Sequence, residues 1–172
     1  MSYFSVDVEA DGPVAGLYSM VSFGAVVVEG ELKRTFYAEL KPISERWIPE
    51  ALSVSGFTRE QTMGFEDPRS VMARFESWVI QNTKGRPIFI ADNPGFDFAF
   101  INYYFHSFVG KNPFGFSSRR IGDLYCGAKL DAFAKWKHLR KTNHSHNALD
   151  DAMGNAEAIL KIQEMGLKMG II

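Results

Sequence analysis

Residues 2–40 hold three β-rich segments with no helical period between them, and this constrains the fold more than any other feature of the chain. Ser2 to Glu9 alternates, is rich in Phe and Val, and is broken by Asp11-Gly12-Pro13. Tyr18 to Val28 runs into the polar turn Glu29-Gly30-Glu31, and Leu32 to Leu40 follows. Strands joined by connections this short run antiparallel, so a meander is expected. After a Pro-punctuated connection, Asp67-Pro68 supplies an N-cap and a first-position proline for a helix to about Gln81. Pro87 to Ala91 reads as a short strand. Asn93-Pro94-Gly95 then turns into a helix whose Phe98, Ile101, Phe105 and Phe108 recur at helical spacing, with Gly110 as its stop. Ser118 to Ile121 is expected as an edge strand, Asp123 to Phe133 as a helix, and Asn147 to Met165 as the last helix, ended by Gly166. The order predicts an α/β fold, a mixed five-stranded sheet flanked by helices, in one domain over residues 1–172.

Composition fits a folded globule: 46% of residues are hydrophobic, 14% aromatic and 23% charged. Cys126 is the single cysteine, which excludes an intramolecular disulfide and a cysteine-based zinc cluster. The longest apolar run, Met20 to Val28, is interrupted by Ser22 and is too short to cross a bilayer, so no membrane partner is expected. No Lys or Arg precedes Lys33, so a basic targeting segment is not expected and a cytoplasmic location is. The formal charge of −1 conceals an asymmetry. Between Phe133 and His146 lie Lys135, Lys137, Arg140 and Lys141 with no acid, together with His138, His144 and His146. A loop of this kind can track phosphates, and Lys137 and Arg140 are the candidates for that role.

Three clusters can carry chemistry. Asp7 and Glu9 lie two apart on the first strand and so project from one face, where they repel each other unless a cation or water intervenes. Asp97 shares a helical face with Ile101, Tyr104 and Phe108, which turns its carboxylate toward the core just after a strand end, where α/β sheets form ligand crevices. Asp150 and Asp151 point about 100° apart on the last helix, and only Asp151 shares its face with the small or apolar Ala148, Asn155, Ala158 and Ile162. If that helix packs across the first strand, four carboxylates and a histidine converge. Hard divalent cations need several oxygen ligands, two such ions can clamp a phosphoryl displacement, and a histidine can deprotonate the attacking water.

The segments Phe4-Ser5-Val6-Asp7-Val8-Glu9-Ala10-Asp11-Gly12, Asn93-Pro94-Gly95-Phe96-Asp97, and His146 with Asp151 after four intervening residues resemble the three motifs of the DEDDh 3′-5′ exonucleases. These enzymes include ribonuclease T, oligoribonuclease and polymerase proofreading subunits. The resemblance runs from Phe4 to about Ala158 and implies a ribonuclease H-like fold. It implies Asp7, Glu9, Asp97 and Asp151 as metal ligands and His146 as general base; His144 is offset from the motif spacing. It also implies two Mg²⁺ or Mn²⁺ ions, single-stranded nucleic acid as substrate, with RNA expected, release of nucleoside 5′-monophosphates, and a homodimer. Ala10, Pro13 and Phe57 match positions that contact the terminal nucleotides, although Ala10-Asp11 replaces the Thr that many relatives carry, and Ser55-Gly56-Phe57 replaces His-Gly-Ile. A DNA exonuclease or proofreading protein is the nearest alternative. A non-catalytic binding module would predict the loss of at least one motif residue, and none is missing.

Overall fold

The computed structural model describes residues 1–170. Strands β1 (Ser2–Ala10), β2 (Met20–Val27), β3 (Thr35–Glu39), β4 (Pro87–Ala91) and β5 (Ser118–Arg120) form one sheet in the order β3-β2-β1-β4-β5. The first three make the expected antiparallel meander. β4 and β5 add in parallel, with β4 alongside only Ser2 to Ser5 of β1. Helices α1 (Pro49–Val54), α2 (Arg59–Met63), α3 (Pro68–Gln81), α4 (Pro94–Phe108), α5 (Ile121–Lys129) and α6 (Ala148–Glu164) complete the fold, with one 3-10 turn at Lys137–Leu139. None of the helices described is long and apolar enough to cross a membrane.

The period of two along β1 assigns its residues to two layers. Phe4, Val6, Val8 and Ala10 face a core that contains Val71, Met72 and Phe75 of α3 and Phe100, Ile101 and Tyr104 of α4. The Phe75 ring is the hub of that layer, with centroids 4.7 Å from Phe23 and 5.4 Å from Phe105. On the other face, Tyr3 packs with Ile88, Ile90 and the α6 residues Ala152, Ala156 and Ile159. The Ser5 hydroxyl donates to the Ala152 carbonyl at 2.9 Å, which ties α6 to β1.

α6 sits close to the sheet because its inner face is small and because β2 carries Gly24. A Cβ at Gly24 would lie 2.4 Å from Leu149 Cα and 2.5 Å from the Ala148 carbonyl oxygen. Gly24 is the cross-strand partner of Asp7. The residue that admits the first turn of α6 therefore also sets that turn over the acidic end of β1.

The structure differs from the sequence expectation where local pattern and tertiary pairing diverge. The connection before α3 contains α1 and α2, whose five or six residues are too short to display a helical period. Pro49 starts the first of them, and a Thr58–Gln61 capping box starts the second. β2 and β3 are shorter than the apolar runs that contain them, since apolar runs report burial and ladders report pairing; Leu32 instead occupies the intervening turn at φ 50°. α5 begins at Ile121, directly after the extended Arg120, and it stops at Lys129 because Leu130 enters the left-handed region at φ 54° and the Asp131 N–H closes on the Cys126 carbonyl.

Gly24→Ala should lower unfolding stability by about 1–3 kcal/mol, the usual cost of overpacking. Denaturant melts would read that loss, and a variant as stable as the parent would mean that α6 does not depend on this close approach.

Candidate active site

β1 delivers Asp7 and Glu9 to the α6 face, and the first turn of α6 delivers Asp151, so that carboxylate oxygens of all three lie within 4.8 Å of one another. Asp97 reaches the same end of β1 from the first turn of α4. The β1–β4 ladder ends at the Ser5–Ile90 pair, and beyond it Asp97 Oδ1 accepts the Val8 N–H at 3.1 Å. Asp151, Asp97 and Glu9 are buried, and Asp7 is partly buried.

Crowding these groups opposes their ionisation. Burial, reinforced by repulsion from Asp97, Asp151 and Glu9, pushes the Asp7 carboxyl well above its ordinary range. Burial and the Asp151 charge push Glu9 up to about 7. Burial also pushes Asp97 to about 7, against the pull of the Val8 N–H. An all-oxygen donor set whose burial and crowding oppose ionisation fits a hard divalent cation, and Asp7, Glu9, Asp151 and Asp97 are the residues that could hold one.

Asp151 is also held by the loop before α6. Its Oδ1 accepts Arg140 Nη2 at 2.7 Å and lies 2.6 Å from His144 Nδ1, while its Oδ2 accepts the His146 backbone N–H at 3.0 Å. His146 adopts φ 58°, and its ring stands edge-on to that of His144 at 4.3 Å. Ring nitrogens of both histidines can approach the Asp151 carboxylate within 4.8 Å, and both side chains are exposed. Asp150, by contrast, points outward and accepts the Ser145 hydroxyl. Glu157 fastens the loop by accepting the Lys141 and Thr142 N–H groups at 2.7 and 2.8 Å.

The remaining sequence candidates are placed less centrally. Ala10 turns its methyl into the aromatic core, so any contact it makes to a ligand is through its backbone. Pro13 is exposed, and Phe57 packs edge-on to Phe65 at 5.0 Å. Lys137 is largely exposed and pairs with Asp92 at 3.0 Å. Arg140 requires a correction: its side chain is 7% exposed and engaged with Asp151, because the loop folds back onto α6 instead of standing in solvent as the charge run suggests. Sequence reasoning missed the His144 contact and the buried Asp11, which pairs with Arg59 at 2.8 Å and anchors the α1–α2 segment to the end of β1. An open groove of about 840 Å³ adjoins the site, with Asp92, Asn93, Arg120, Phe133, Lys135 and Lys137 among its walls.

A carboxyl whose folded pKa lies above its unfolded value leaves the folded chain binding more protons, so stability falls as pH rises between the two. The metal-free protein should therefore lose a few kcal/mol between about pH 4.5 and 7, and Glu9→Gln should flatten that decline. Thermal melts across this range check it, and a stability that rises with pH would contradict the charge crowding.

The match to known proteins agrees with this geometry. The 3′-5′ exoribonuclease Rv2179c-like domain family matches residues 2–163. The 3′-5′ DNA exonuclease Cap18 of Escherichia coli is 37% identical over 179 residues, covering 96% of this chain and 94% of that protein. Among solved structures, the nuclease domain of 3′hExo, a DEDDh family member bound to rAMP, superposes with a TM-score of 0.77 at 17% identity over 96% of this chain and 92% of that one. E. coli Exonuclease I in complex with a dA16 oligonucleotide gives 0.72 at 19% identity, over 95% of this chain and 40% of that one. At those identities the solved structures speak to the fold, which is ribonuclease H-like. With that family matched over residues 2–163 and a relative 37% identical over nearly all of the chain, the chain belongs to the 3′-5′ exoribonuclease Rv2179c-like domain family.

Proposed function

We propose that this protein removes nucleotides one at a time from the 3′ end of single-stranded RNA, using two Mg²⁺ or Mn²⁺ ions and releasing nucleoside 5′-monophosphates. The observation that carries the reading is the convergence of Asp7, Glu9 and Asp151 within 4.8 Å, with Asp97 beside them and exposed histidines at the rim. Asp7, Glu9, Asp97 and Asp151 would hold the cations. When bound, the cations supply the positive charge that draws the scissile phosphate and stabilises the departing oxygen. His146 accepts a proton from the attacking water at an imidazole nitrogen. The water oxygen bonds to phosphorus as the bond from phosphorus to the O3′ of the penultimate nucleotide breaks, O3′ takes its proton from bulk water, and the imidazolium returns its proton to solvent before the next cycle. Asp151 fixes the base by accepting the His146 N–H, which holds that residue in its left-handed conformation.

The groove lined by Arg120, Phe133, Lys135 and Lys137 supports a route for the upstream strand, since cations and an exposed aromatic ring suit phosphates and unstacked bases irrespective of sequence. The almost fully exposed Phe116 and Leu130 support a homodimeric working unit. Membership in a 3′-5′ exoribonuclease domain family supports RNA as the substrate. A second reading, single-stranded DNA, is favoured by the 37% identity to E. coli Cap18. One strand prepared as RNA, as DNA, and as RNA with a single 2′-deoxynucleotide at its 3′ end, labelled at either terminus, separates the two readings. Faster loss of RNA, with a delay at the deoxy end, supports the first; faster loss of DNA supports the second.

Asp7→Asn and Asp151→Asn should each cut turnover by orders of magnitude; Asp7→Asn relieves like-charge repulsion and should leave the fold intact, whereas Asp151→Asn also removes the charge paired with buried Arg140 and should cost some stability. His146→Ala should cost about 10²- to 10⁴-fold, the range of a general base, and His144→Ala much less. Single-turnover assays with and without chelator check all four. Activity in excess chelator would contradict the metal assignment, and the reverse ranking of the histidines would move the base to His144.

A further inference from the structure

We propose that Arg140 is the built-in counter-ion of the carboxylate site, holding Asp151 in the absence of a divalent cation and weakening the grip on that cation when it binds. The proposal rests on the metal-dependent reading given above. The guanidinium donates from Nη2 to Asp151 Oδ1 at 2.7 Å and to the Asp151 carbonyl oxygen at 3.2 Å. A group bonded to both the side chain and the backbone of one residue is aimed at that residue rather than resting near it. Its passage is built into α6: a Cβ at Gly154 would come within 2.3 Å of Nε and 2.8 Å of Nη2, so glycine three positions after Asp151 leaves the room the guanidinium fills. Nε is buried there without a hydrogen-bond partner, which argues that the placement serves the contact with Asp151 and not the satisfaction of the arginine itself. The Glu157 clasp on residues 141 and 142 fixes the loop that presents it.

A fixed positive charge in contact with one ligand has two consequences. It lets four crowded carboxylates fold without a metal, and it repels an incoming cation while occupying part of the Asp151 carboxylate that would help to hold it. Arg140 thus acts through Asp151 and is a positioning residue.

Mn²⁺ titration of the metal-free protein by calorimetry, paired with thermal melts, tests this without any nuclease assay. Arg140→Gln should lower the melting temperature of the metal-free protein, bind Mn²⁺ about tenfold more tightly, and show a larger upward shift in melting temperature on adding Mn²⁺. Arg140→Lys, which keeps the charge but not the fork, should stay near the parent affinity. Gly154→Ala, which displaces the guanidinium without removing any charged group, should tighten Mn²⁺ binding in the same direction and carries the test if Arg140→Gln does not fold. Equal or weaker Mn²⁺ binding by Arg140→Gln, or by Gly154→Ala in its place, overturns the proposal. Absence of Mn²⁺ binding by the parent protein is a different result and would defeat the metal reading itself.

Discussion

The structure depends on the contact between the first turn of α6 and the acidic end of β1. Gly24 leaves space for that turn, Ser5 ties it down, and Asp151 is thereby forced against Asp7 and Glu9. Packing that is favourable for the apolar residues of α6 is unfavourable for these carboxylates, because burial and proximity both oppose their charge. The fold accordingly stores an electrostatic demand at one end of its central strand. Positive charge answers it, from Arg140 within the chain and from divalent ions supplied by solvent.

The two layers contribute differently to this arrangement. The aromatic layer around Phe75 holds α3 and α4 against one face of the sheet, and that support fixes where the first turn of α4 can bring Asp97. The buried face of α6 is small over its first turns, with Ala148, Ala152, Gly154 and Ala156, and only later carries Ile159 and Ile162, so the start of the helix lies low and its position is sensitive to a single added methyl group. The loop from Arg140 to His146 is then ordered by the acids of α6 itself: Asp151 engages Arg140, His144 and His146, and Glu157 engages residues 141 and 142.

Much of the site was legible from periodicity. The two-residue spacing of Asp7 and Glu9 puts them on one face, the 100° step separates Asp151 from Asp150, and the register of Asp97 with Ile101 and Tyr104 turns it inward. The structure keeps all three assignments, with Asp150 in solvent. What stayed hidden depends on contacts between segments with no shared period. Arg140 sits in a charge run that reads as solvated, and nothing in its neighbours announces that Gly154 leaves a slot for it one helix away. His144 breaks the motif spacing yet reaches Asp151 Oδ1, while the left-handed His146 meets the other oxygen of the same carboxylate through its backbone N–H. The short helices α1 and α2 lack the length to show a period, and α5 stops before Phe133 because a leucine, where glycine would be expected, takes the left-handed position.

The central claim, that crowded carboxylates must give up protons to accept a metal, is tested most directly by counting those protons. Calorimetric titration of the metal-free protein with Mn²⁺ at about pH 6, in two buffers of different ionisation enthalpy, yields the number released per ion bound. With Glu9 and Asp97 held near 7 and Asp7 held well above its ordinary range, release of at least one proton per protein is predicted. Mn²⁺ binding with no proton release would contradict the account.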